Sequence, residues 1–315
     1  MYQDFKFHIQ NSNLKSVICN LNTAFFFSLI ATQVFAQDFY KKINIEGEQR
    51  EYIVHLPINL NSQKKHALLL VFHGGGGTAK NSLSFFGFNQ VADTAAFIVV
   101  YPNGIKKGWN DGRLIRKHNH NDIGFIRQLI DQLGKDYPVD EKRVFATGIS
   151  NGGFFSFALG FHLADKIRAI APVCATIPED ILKSSTPAKP VSLLLINGTQ
   201  DPLVPYNGGK VGGKWLNRGQ CTSTDETVNK FIEVNQCNPP ATQTSLPDRD
   251  LTDECTTKKY SYRCANENQV HLIRIEGGGH TWPGGKQYLG KRLVGRVCRD
   301  FYATTEVWNF FRQLK

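Results

Sequence analysis

The sequence predicts an α/β fold, in which a mainly parallel β-sheet is covered by α-helices on both faces. Short apolar runs of strand length alternate with segments whose apolar residues recur at helical spacing. Several of these runs end in glycine-rich loops. The alternation is typical of parallel strands joined by helical crossovers, with both faces of the sheet buried. Ligands of such sheets bind at the carboxyl ends of the strands, so the loops there are the places to look for chemistry.

The predicted elements follow one another in a regular order. Residues 41–46 and 50–56 are predicted to pair around Gly47. The other predicted strands are 67–72, 97–101, 143–147, 168–173, 191–196 and 269–275. The predicted helices are 122–133, 151–163, 224–234 and 304–314. Ser223 and Glu226 have the spacing of a capping box at the start of the third of these helices.

The composition fits one globular domain. The chain has 315 residues, of which 41% are hydrophobic and 20% are charged. That apolar fraction excludes a disordered chain, and neither a Gly-x-y period nor a solenoid repeat is present. Only one apolar stretch approaches the length of a membrane span, which excludes a polytopic membrane protein. No linker rich in Pro, Gly or Ser divides the chain after its N-terminal segment.

The N-terminal segment is typical of an export signal. Residues 23–35 form an apolar run that is shorter than a membrane span, and Lys15 supplies positive charge before it. Val34 and Ala36 stand where a signal peptidase reads small residues, so we expect cleavage after Ala36. The prediction is a signal peptide over residues 1–36 and an exported domain over residues 37–315. An uncleaved N-terminal membrane anchor is the alternative.

The cysteines agree with export. Of the seven, Cys19 lies in the leader, which leaves an even number that could form disulfides. Four of the other six fall within residues 221–264, which favours local cross-linking of a loop-rich insertion. Cys174 follows an apolar strand and could equally be a buried free thiol. No CxxC or HExxH pattern is present, so neither a metal nor a cofactor is expected.

The strongest chemical signal is the sequence Gly-Ile-Ser-Asn-Gly at residues 148–152. This G-x-S-x-G pattern stands between a predicted strand and a predicted helix, which is the context that the pattern requires. A sharp turn at that place lifts the hydroxyl of Ser150 above the sheet, and the flanking glycines let the backbone pass closely. The pattern therefore predicts that Ser150 is a nucleophile rather than a structural serine.

A second signal is the sequence HGGGG, which begins at His73 directly after a predicted strand. Acyl transfer places negative charge on a carbonyl oxygen, and backbone N–H groups must already point at it. We predict that Gly75 and Asn151 donate those N–H groups, with Gly74 or Gly76 as alternatives to Gly75. A phosphate-binding loop is disfavoured because no GxxxxGK[ST] pattern is present. His73 itself is predicted to orient the loop.

The third signal is the order of a candidate acid and base. Asp201 follows the predicted strand 191–196, and His280 ends a glycine-rich loop after the strand 269–275. The chain order Ser150, Asp201, His280 is the order of an α/β-hydrolase triad. A serine hydroxyl needs an imidazole to take its proton, and the imidazole needs a carboxylate to orient it. The remaining histidines are predicted to have structural roles, with an H-x-H metal site as the alternative for His118 and His120.

These strings together resemble a known family. VFHGGGGTAKNS, VVYPNGIKKGWNDG, RVFATGISNGGFFSFAL, NGTQDPLVPYNGG and GGGHTWPGG are similar, in this order, to the secreted poly(3-hydroxybutyrate) depolymerase and feruloyl esterase family of α/β-hydrolases. The resemblance covers residues 38–315 and implies a serine esterase with Ser150, Asp201 and His280 as nucleophile, acid and base.

The resemblance also bears on residues around the site. It places Trp109 and Trp282 near the active-site mouth, where they could pack against a substrate or brace loops. It implies a disulfide between Cys237 and Cys264. Relatives tend to carry an additional acid where this chain has Asn121, which puts one supporting hydrogen bond in doubt.

The net charge of +10 has several readings. Basic residues cluster on both sides of the predicted site, at Lys106, Lys107, Arg113, Arg116 and Lys117 and at Lys286, Lys291, Arg292, Arg296 and Arg299. No nucleic-acid-binding motif accompanies them, so nucleic acid is not an expected partner, nor is a membrane after cleavage. Binding of an anionic polymer, or a simple solvated surface, would account for these clusters.

The expected partner is an ester substrate, small or polymeric. A serine peptidase of the same fold and a non-catalytic binding protein are the competing functions, and the oligomeric state stays open.

Overall fold

The central strands are built from continuous apolar sequence, and burial explains why. In the computed structural model every residue of the strand His66–Phe72 is buried. Its side chains alternate, so that Leu68 and Leu70 enter one hydrophobic core while Leu69 and Val71 enter the other. A strand covered on both faces has no place for a polar side chain without a partner. The structure describes residues 37–116, 120–213, 216–265 and 267–314.

The described residues contain twelve strands and eight α-helices. The strands are β1 (Gln37–Ile45), β2 (Glu48–Leu56), β3 (His66–Phe72), β4 (Ile98–Pro102), β5 (Val139–Ile149), β6 (Ala169–Val173), β7 (Ser192–Gly198), β8 (Gly209–Lys210), β9 (Gln220–Cys221), β10 (Cys237–Ser245), β11 (Thr256–Cys264) and β12 (Gln269–Glu276). The helices are α1 (Ala79–Phe86), α2 (Phe88–Ala95), α3 (Asp122–Asp136), α4 (Asn151–His162), α5 (Glu179–Ser184), α6 (Thr224–Val234), α7 (Lys291–Val294) and α8 (Ala303–Phe311).

Ten of these strands form one sheet in the order β1-β2-β4-β3-β5-β6-β7-β12-β11-β10. The six central strands from β4 to β12 are parallel, and an antiparallel hairpin closes each edge. Strands β8 and β9 pair separately. Because the central strands share one direction, the loops after β3, β5, β7 and β12 all emerge at the same edge of the sheet.

Helices cover both faces, as the sequence predicts. Buried residues of α3, α4 and α6 join one core, and buried residues of α1, α2 and α8 join the other. Ser223 caps α6 by accepting a hydrogen bond from the N–H of Glu226 at 3.0 Å. Among the described residues no helix is both long and apolar enough to cross a membrane. The predicted signal peptide, including Cys19, lies outside the described residues.

The sequence prediction was wrong about the insertion between α6 and β12. We expected a loop-rich segment, whereas β10 and β11 pair as an antiparallel hairpin that extends the sheet. Cys237 and Cys264 are direct partners across this hairpin and form the disulfide that the resemblance implied. The other four cysteines of the described chain, Cys174, Cys221, Cys255 and Cys298, are buried thiols. Helices α1 and α2 were also not predicted.

The predicted structural histidines are confirmed in β2 and β3. His55 is bonded to the carboxylates of Asp38 and Asp93, and His66 is bonded to two backbone carbonyls. His271 in β12 is different, because Nδ1 is buried without a hydrogen-bond partner in the described structure. Burial lowers the pKa of His271 to about 4, with a smaller contribution from the charge of Lys259.

This histidine predicts acid destabilisation. Between pH 6.5 and pH 4 the unfolded chain protonates His271 while the native protein keeps it neutral, so the free energy of unfolding falls as the pH falls. We expect the free energy of unfolding, measured with urea, to fall between pH 7.5 and pH 4.5 by about 2–3 kcal/mol less in His271→Gln than in the wild type. Equal losses for the two proteins would contradict the assignment.

Candidate active site

The turn between β5 and α4 has an unusual backbone because glycines allow close contact with β3. Ser150 adopts φ 56° and ψ −119°, a conformation that L-residues rarely adopt. A Cβ atom on Gly148 would lie 2.5 Å from the carbonyl oxygen of Phe72, and one on Gly152 would lie 2.2 Å from it. Only glycine fits at these two positions. The G-x-S-x-G pattern is therefore a packing requirement as well as a chemical signature.

The HGGGG loop lies directly against this turn. A Cβ atom on Gly74 would lie 3.7 Å from the Cβ of Ser150. His73 fixes the loop, since Nδ1 donates to the carbonyl of Gly74 at 2.8 Å and Nε2 accepts from the N–H of Gly104 at 3.0 Å. Burial lowers the pKa of His73, which keeps the ring neutral as this bonding requires. The predicted loop-orienting role of His73 agrees with this geometry.

The predicted oxyanion donors are two backbone N–H groups, those of Asn151 and Gly75. The N–H of Asn151 is at the first position of α4, where helical N–H groups have no partner inside the helix. In the described structure the N–H of Gly75 makes no hydrogen bond, whereas that of Gly76 donates to the carbonyl of Lys107 at 2.7 Å. The structure thus favours Gly75 over Gly76 as the second donor. Gly74 stays as the alternative.

The side chain of Asn151 connects the turn to the loop that carries Trp109. Its Oδ1 accepts from the N–H of Trp109 at 2.8 Å, and its Nδ2 donates to the carbonyl of Trp109 at 3.1 Å. The indole Nε1 of Trp109 in turn donates to the carbonyl of His73 at 3.0 Å. Trp109 is fully buried and stacks on Phe155, with ring centroids 4.9 Å apart. This geometry favours loop bracing, rather than contact with a substrate, for Trp109.

Two buried acids, which the sequence analysis did not single out as supports, hold this loop. Asp111 accepts from Nδ2 of Asn151 at 2.6 Å and forms a buried ion pair with Arg113. Asp122 accepts from the N–H of Asn110 at 2.7 Å and from Arg50 at 2.6 Å. The Asn110 bond shows that the missing acid at position 121 does not leave the loop unsupported. An Asp within a tryptophan-containing glycine loop was the available signal for Asp111.

The structure joins the candidate acid and base. Nδ1 of His280 lies 2.7 Å from Oδ2 of Asp201, and both side chains are buried. The other oxygen of Asp201 accepts the N–H groups of Leu203 and Val204, each at 2.8 Å. These bonds fix the carboxylate in its turn after β7. Asp201 therefore orients the ring of His280 with Nε2 directed away from the carboxylate.

The loop of His280 is held from its outer side by residues 284–300, which we call the strap. The N–H of Gly279 donates to Arg296, and the N–H of His280 donates to Val294. The hydroxyl of Tyr288 donates to the carbonyl of His280 at 3.0 Å. The strap thus sets the position of the histidine backbone.

Cys174, after β6, lies between the two halves of the site. The N–H of Ser150 donates to the carbonyl of the preceding residue, Val173, at 3.0 Å. The Sγ of Cys174 contacts the carbonyl of Thr281 at 3.3 Å and lies within 4.8 Å of side-chain atoms of Asp201 and His280. Ser150 therefore contacts Val173, and His280 lies beside Cys174, the next residue in the chain. No hydrogen bond joins these two side chains in the described structure, and this contact is often long in an enzyme without substrate.

Trp282 is also a bracing residue by its geometry. It is buried, its Nε1 donates to the hydroxyl of Thr304 at 3.0 Å, and its ring meets the ring of Phe86 edge-on at 4.7 Å. It ties the histidine loop to α1 and α8. Like Trp109, it presents no accessible ring face to a substrate in this structure.

The two basic clusters offer fewer unpaired positive charges to a binding partner than the sequence suggests. Arg113 is buried by its ion pair with Asp111, while Arg296 and Arg299 pair with Glu254 and Asp250. The side chain of Arg116 and all of Lys117 lie outside the described residues. The clusters therefore serve, in part, the internal structure.

The fold and the arrangement at the strand ends define an α/β-hydrolase. Residues 55–231 match the family described as Phospholipase/Carboxylesterase, and this chain belongs to that family. It is a carboxylic ester hydrolase, and the resemblance to feruloyl esterase-like α/β-hydrolases is confirmed.

Individual relatives support this family assignment. "Probable feruloyl esterase C" of Aspergillus oryzae is 31% identical over 83% of this chain and 83% of its own length. Feruloyl esterase C of Emericella nidulans is 30% identical over 60% of this chain and 63% of its own length. The solved acetyl xylan esterase of Aspergillus awamori has the same fold, with a TM-score of 0.55 and 14% identity over 77% of this chain and 94% of that one.

The close approach at Gly152 gives a direct test of the turn. Gly152→Ala would place a methyl group against the backbone of β3, and we expect it to lower the free energy of unfolding by about 3 kcal/mol. The control is Gly134→Ala in α3, where a Cβ meets only the end of the flexible Glu141 side chain, so stability should rise by about 0.5–1 kcal/mol. Urea unfolding of both variants checks this, and a Gly152→Ala variant as stable as wild type would refute the packing argument.

Proposed function

We propose that this protein is a secreted serine esterase that works through an acyl-enzyme formed on Ser150. The observation that carries the proposal is the buried 2.7 Å hydrogen bond between Asp201 and His280 at the strand ends where Ser150 stands on its strained turn. An imidazole held by a carboxylate is what a weak hydroxyl nucleophile needs.

The first step begins with attack of Ser150 Oγ on the ester carbonyl. Nε2 of His280 accepts the hydroxyl proton, and the ionised Asp201 stabilises the imidazolium that forms. The N–H groups of Gly75 and Asn151 bind the oxyanion of the tetrahedral intermediate. His280 then protonates the departing alcohol, and the acyl group stays on Ser150.

The second step releases the acid. His280 takes a proton from a water molecule as that water attacks the acyl carbonyl, and Gly75 and Asn151 again bind the oxyanion that forms. The second tetrahedral intermediate then releases the acid, and His280 returns the proton to Ser150. Because the donors are backbone groups held by buried side chains, they need little rearrangement as charge develops. His73, Asn151 and Trp109 supply that rigidity.

We propose esters of plant polysaccharides, feruloyl or acetyl, as the substrate class. The support is that two relatives over much of the chain are named feruloyl esterases. Hydroxybutyrate polyesters, which the sequence resemblance also suggests, are the second candidate. A serine peptidase and a non-catalytic binding protein are the competing functions.

The nucleophile is tested by Ser150→Ala. Loss of Oγ removes the acyl-enzyme route, so kcat for p-nitrophenyl acetate and methyl ferulate should fall about 10⁶-fold with Tm unchanged. A fluorophosphonate probe should label the wild type and not the variant. The matched control, Ser84→Ala at an exposed site in α1, should keep wild-type turnover.

The substrate class is tested with the same proteins. Methyl ferulate, acetylated xylan, hydroxybutyrate trimer and a peptide p-nitroanilide are compared by kcat/KM. The polysaccharide-ester proposal expects the first two to be preferred. Preference for the trimer would replace the substrate class, and preference for the anilide would replace esterase by peptidase. A Ser150→Ala variant with near-wild-type turnover would remove the proposed mechanism.

We also propose that residues 1–36 direct export and are removed after Ala36. The disulfide between Cys237 and Cys264 suits an oxidising compartment, and β1 starts at Gln37, so this cleavage would leave the sheet intact.

Export is tested by expressing the full chain with its own N-terminus. The intact mass of the exported protein, in the periplasm or in the medium, should correspond to a start at Gln37. Ala36→Arg should block processing because the peptidase reads small residues. Recovery of the protein with residues 1–36 still attached would contradict cleavage.

A further inference from the structure

We propose that Cys255 and Cys298 form a second disulfide, which fastens the strap of the catalytic histidine loop to the hairpin insertion. Both thiols are buried, and their sulfur atoms lie within 4.8 Å of each other and of a carboxylate oxygen of Asp253. The sequence left these two cysteines unassigned. Small side-chain rotations bring sulfur atoms at such a distance to bonding geometry when the backbone segments are already fixed.

Asp253 fixes the two cysteine-bearing segments. Its Oδ1 accepts the N–H of Cys255 at 2.8 Å, and its Oδ2 accepts the N–H of Arg299, next to Cys298, at 2.6 Å. This buried carboxylate therefore clamps one backbone to the other. The same bonds argue against a zinc site, because they occupy both oxygens of Asp253 and leave two thiols where a structural zinc ion needs four ligands.

A series of polar contacts joins the same two segments. We call residues 248–257 the acidic segment, since they include Asp248, Asp250, Asp253 and Glu254. Between this segment and the strap the contacts are Glu254 with Arg296 at 2.6 Å, Asp250 with Arg299 at 3.2 Å, and Thr257 with Asp300 at 2.7 Å. The hydroxyl of Thr257 also lies 3.3 Å from the Sγ of Cys298. The pair is thus held together before any bond forms.

The chemistry is a thiol–disulfide exchange with a small-molecule disulfide of the exporting compartment, which reaches the buried thiols when the strap opens locally. A hydrogen bond from Cys255 lowers the pKa of Cys298, so Cys298 ionises first. Its thiolate attacks the oxidant, forms a mixed disulfide and releases one small thiol. Cys255 then loses its proton and attacks Sγ of Cys298, which releases the second small thiol. The protein gives up two protons and two electrons, and the oxidant is reduced to two thiols.

The bond would act on the site through the strap. The carbonyl of Cys298 accepts the N–H of Gly284, and its neighbours Arg296 and Val294 accept the N–H groups of Gly279 and His280. The acidic segment also touches the histidine loop, since a Cβ on Gly277 would lie 2.4 Å from the carbonyl of Glu254. A covalent link here restrains the backbone that positions His280; this consequence rests on the proposed function, and the bond itself does not.

The test uses the full chain, incubated with oxidised glutathione and then denatured in N-ethylmaleimide without reductant. Peptide mapping by mass spectrometry should find Cys255 linked to Cys298 and Cys237 linked to Cys264. Of the six cysteines after residue 36, only Cys174 and Cys221 should be alkylated. Alkylation of both Cys255 and Cys298 while Cys237–Cys264 stays bonded would overturn the proposal. One equivalent of zinc released on thiol modification would also overturn it.

Variants measure what the bond does. Cys255→Ser/Cys298→Ser opens a loop of about 40 residues and should lower Tm by about 5–10 °C, whereas the control Cys221→Ser should lose much less. The double variant should also have a lower kcat on p-nitrophenyl acetate, with Ser150 still reacting with fluorophosphonate. If the variant fails to fold, the peptide map of the wild type still decides. An inactive wild type with the mapped bond would contradict the proposed function and leave the disulfide standing.

Discussion

A connected set of hydrogen bonds around Asn151 fixes the half of the candidate site that carries Ser150, and the rest of the arrangement depends on it. The amide of Asn151 holds both backbone polar groups of Trp109, and the indole of Trp109 holds the carbonyl of His73. His73 then grips the glycine loop through Gly74. The side chains of Asn151, Trp109 and His73 are buried, so breaking one of their bonds leaves a polar atom without a partner, which costs about 1–3 kcal/mol. The glycine loop and the serine turn therefore move as one body.

Backbone packing adds a second constraint on the same body. The strained conformation of Ser150 costs about 1–3 kcal/mol and persists only where the surroundings over-determine it. Here the contacts of Gly148 and Gly152 with β3 leave the chain no room to relax. The glycine loop, which carries the predicted oxyanion donor Gly75, is thereby held against the serine turn. Fixed donors are the condition under which electrostatic stabilisation of an oxyanion is strongest.

The sequence predicts the central sheet and the pairing of Asp201 with His280 well because both depend on local pattern. Apolar runs mark the buried strands, and polar residues directly after them must meet at one edge of a parallel sheet, as Asp201 and His280 do. The role of Trp109 could not be predicted, since only tertiary contacts distinguish an indole that braces from one that binds. The hairpin was missed because β10 is a largely exposed edge strand with Pro239 and Pro240, so it lacks an apolar alternation. Pairing with β11 and a cross-strand disulfide, rather than its own sequence, define it.

The histidine half of the site is stabilised by different physics from the serine half. Ser150 stands between residues 144–149 of β5 and residues 151–161 of α4, all of which are buried, so hydrophobic packing supports it directly. His280 stands on a glycine-rich loop whose outer support, the strap, includes exposed Leu289 and Leu293 and a helix, α7, of four residues. Only part of the strap's apolar surface is buried, at Val294, Val297 and Cys298, and exposed ion pairs contribute little each. Backbone hydrogen bonds and cross-links are the remaining ways to hold the strap in place. The buried Asp253 and the two cysteines, Cys255 and Cys298, therefore matter for the position of this loop.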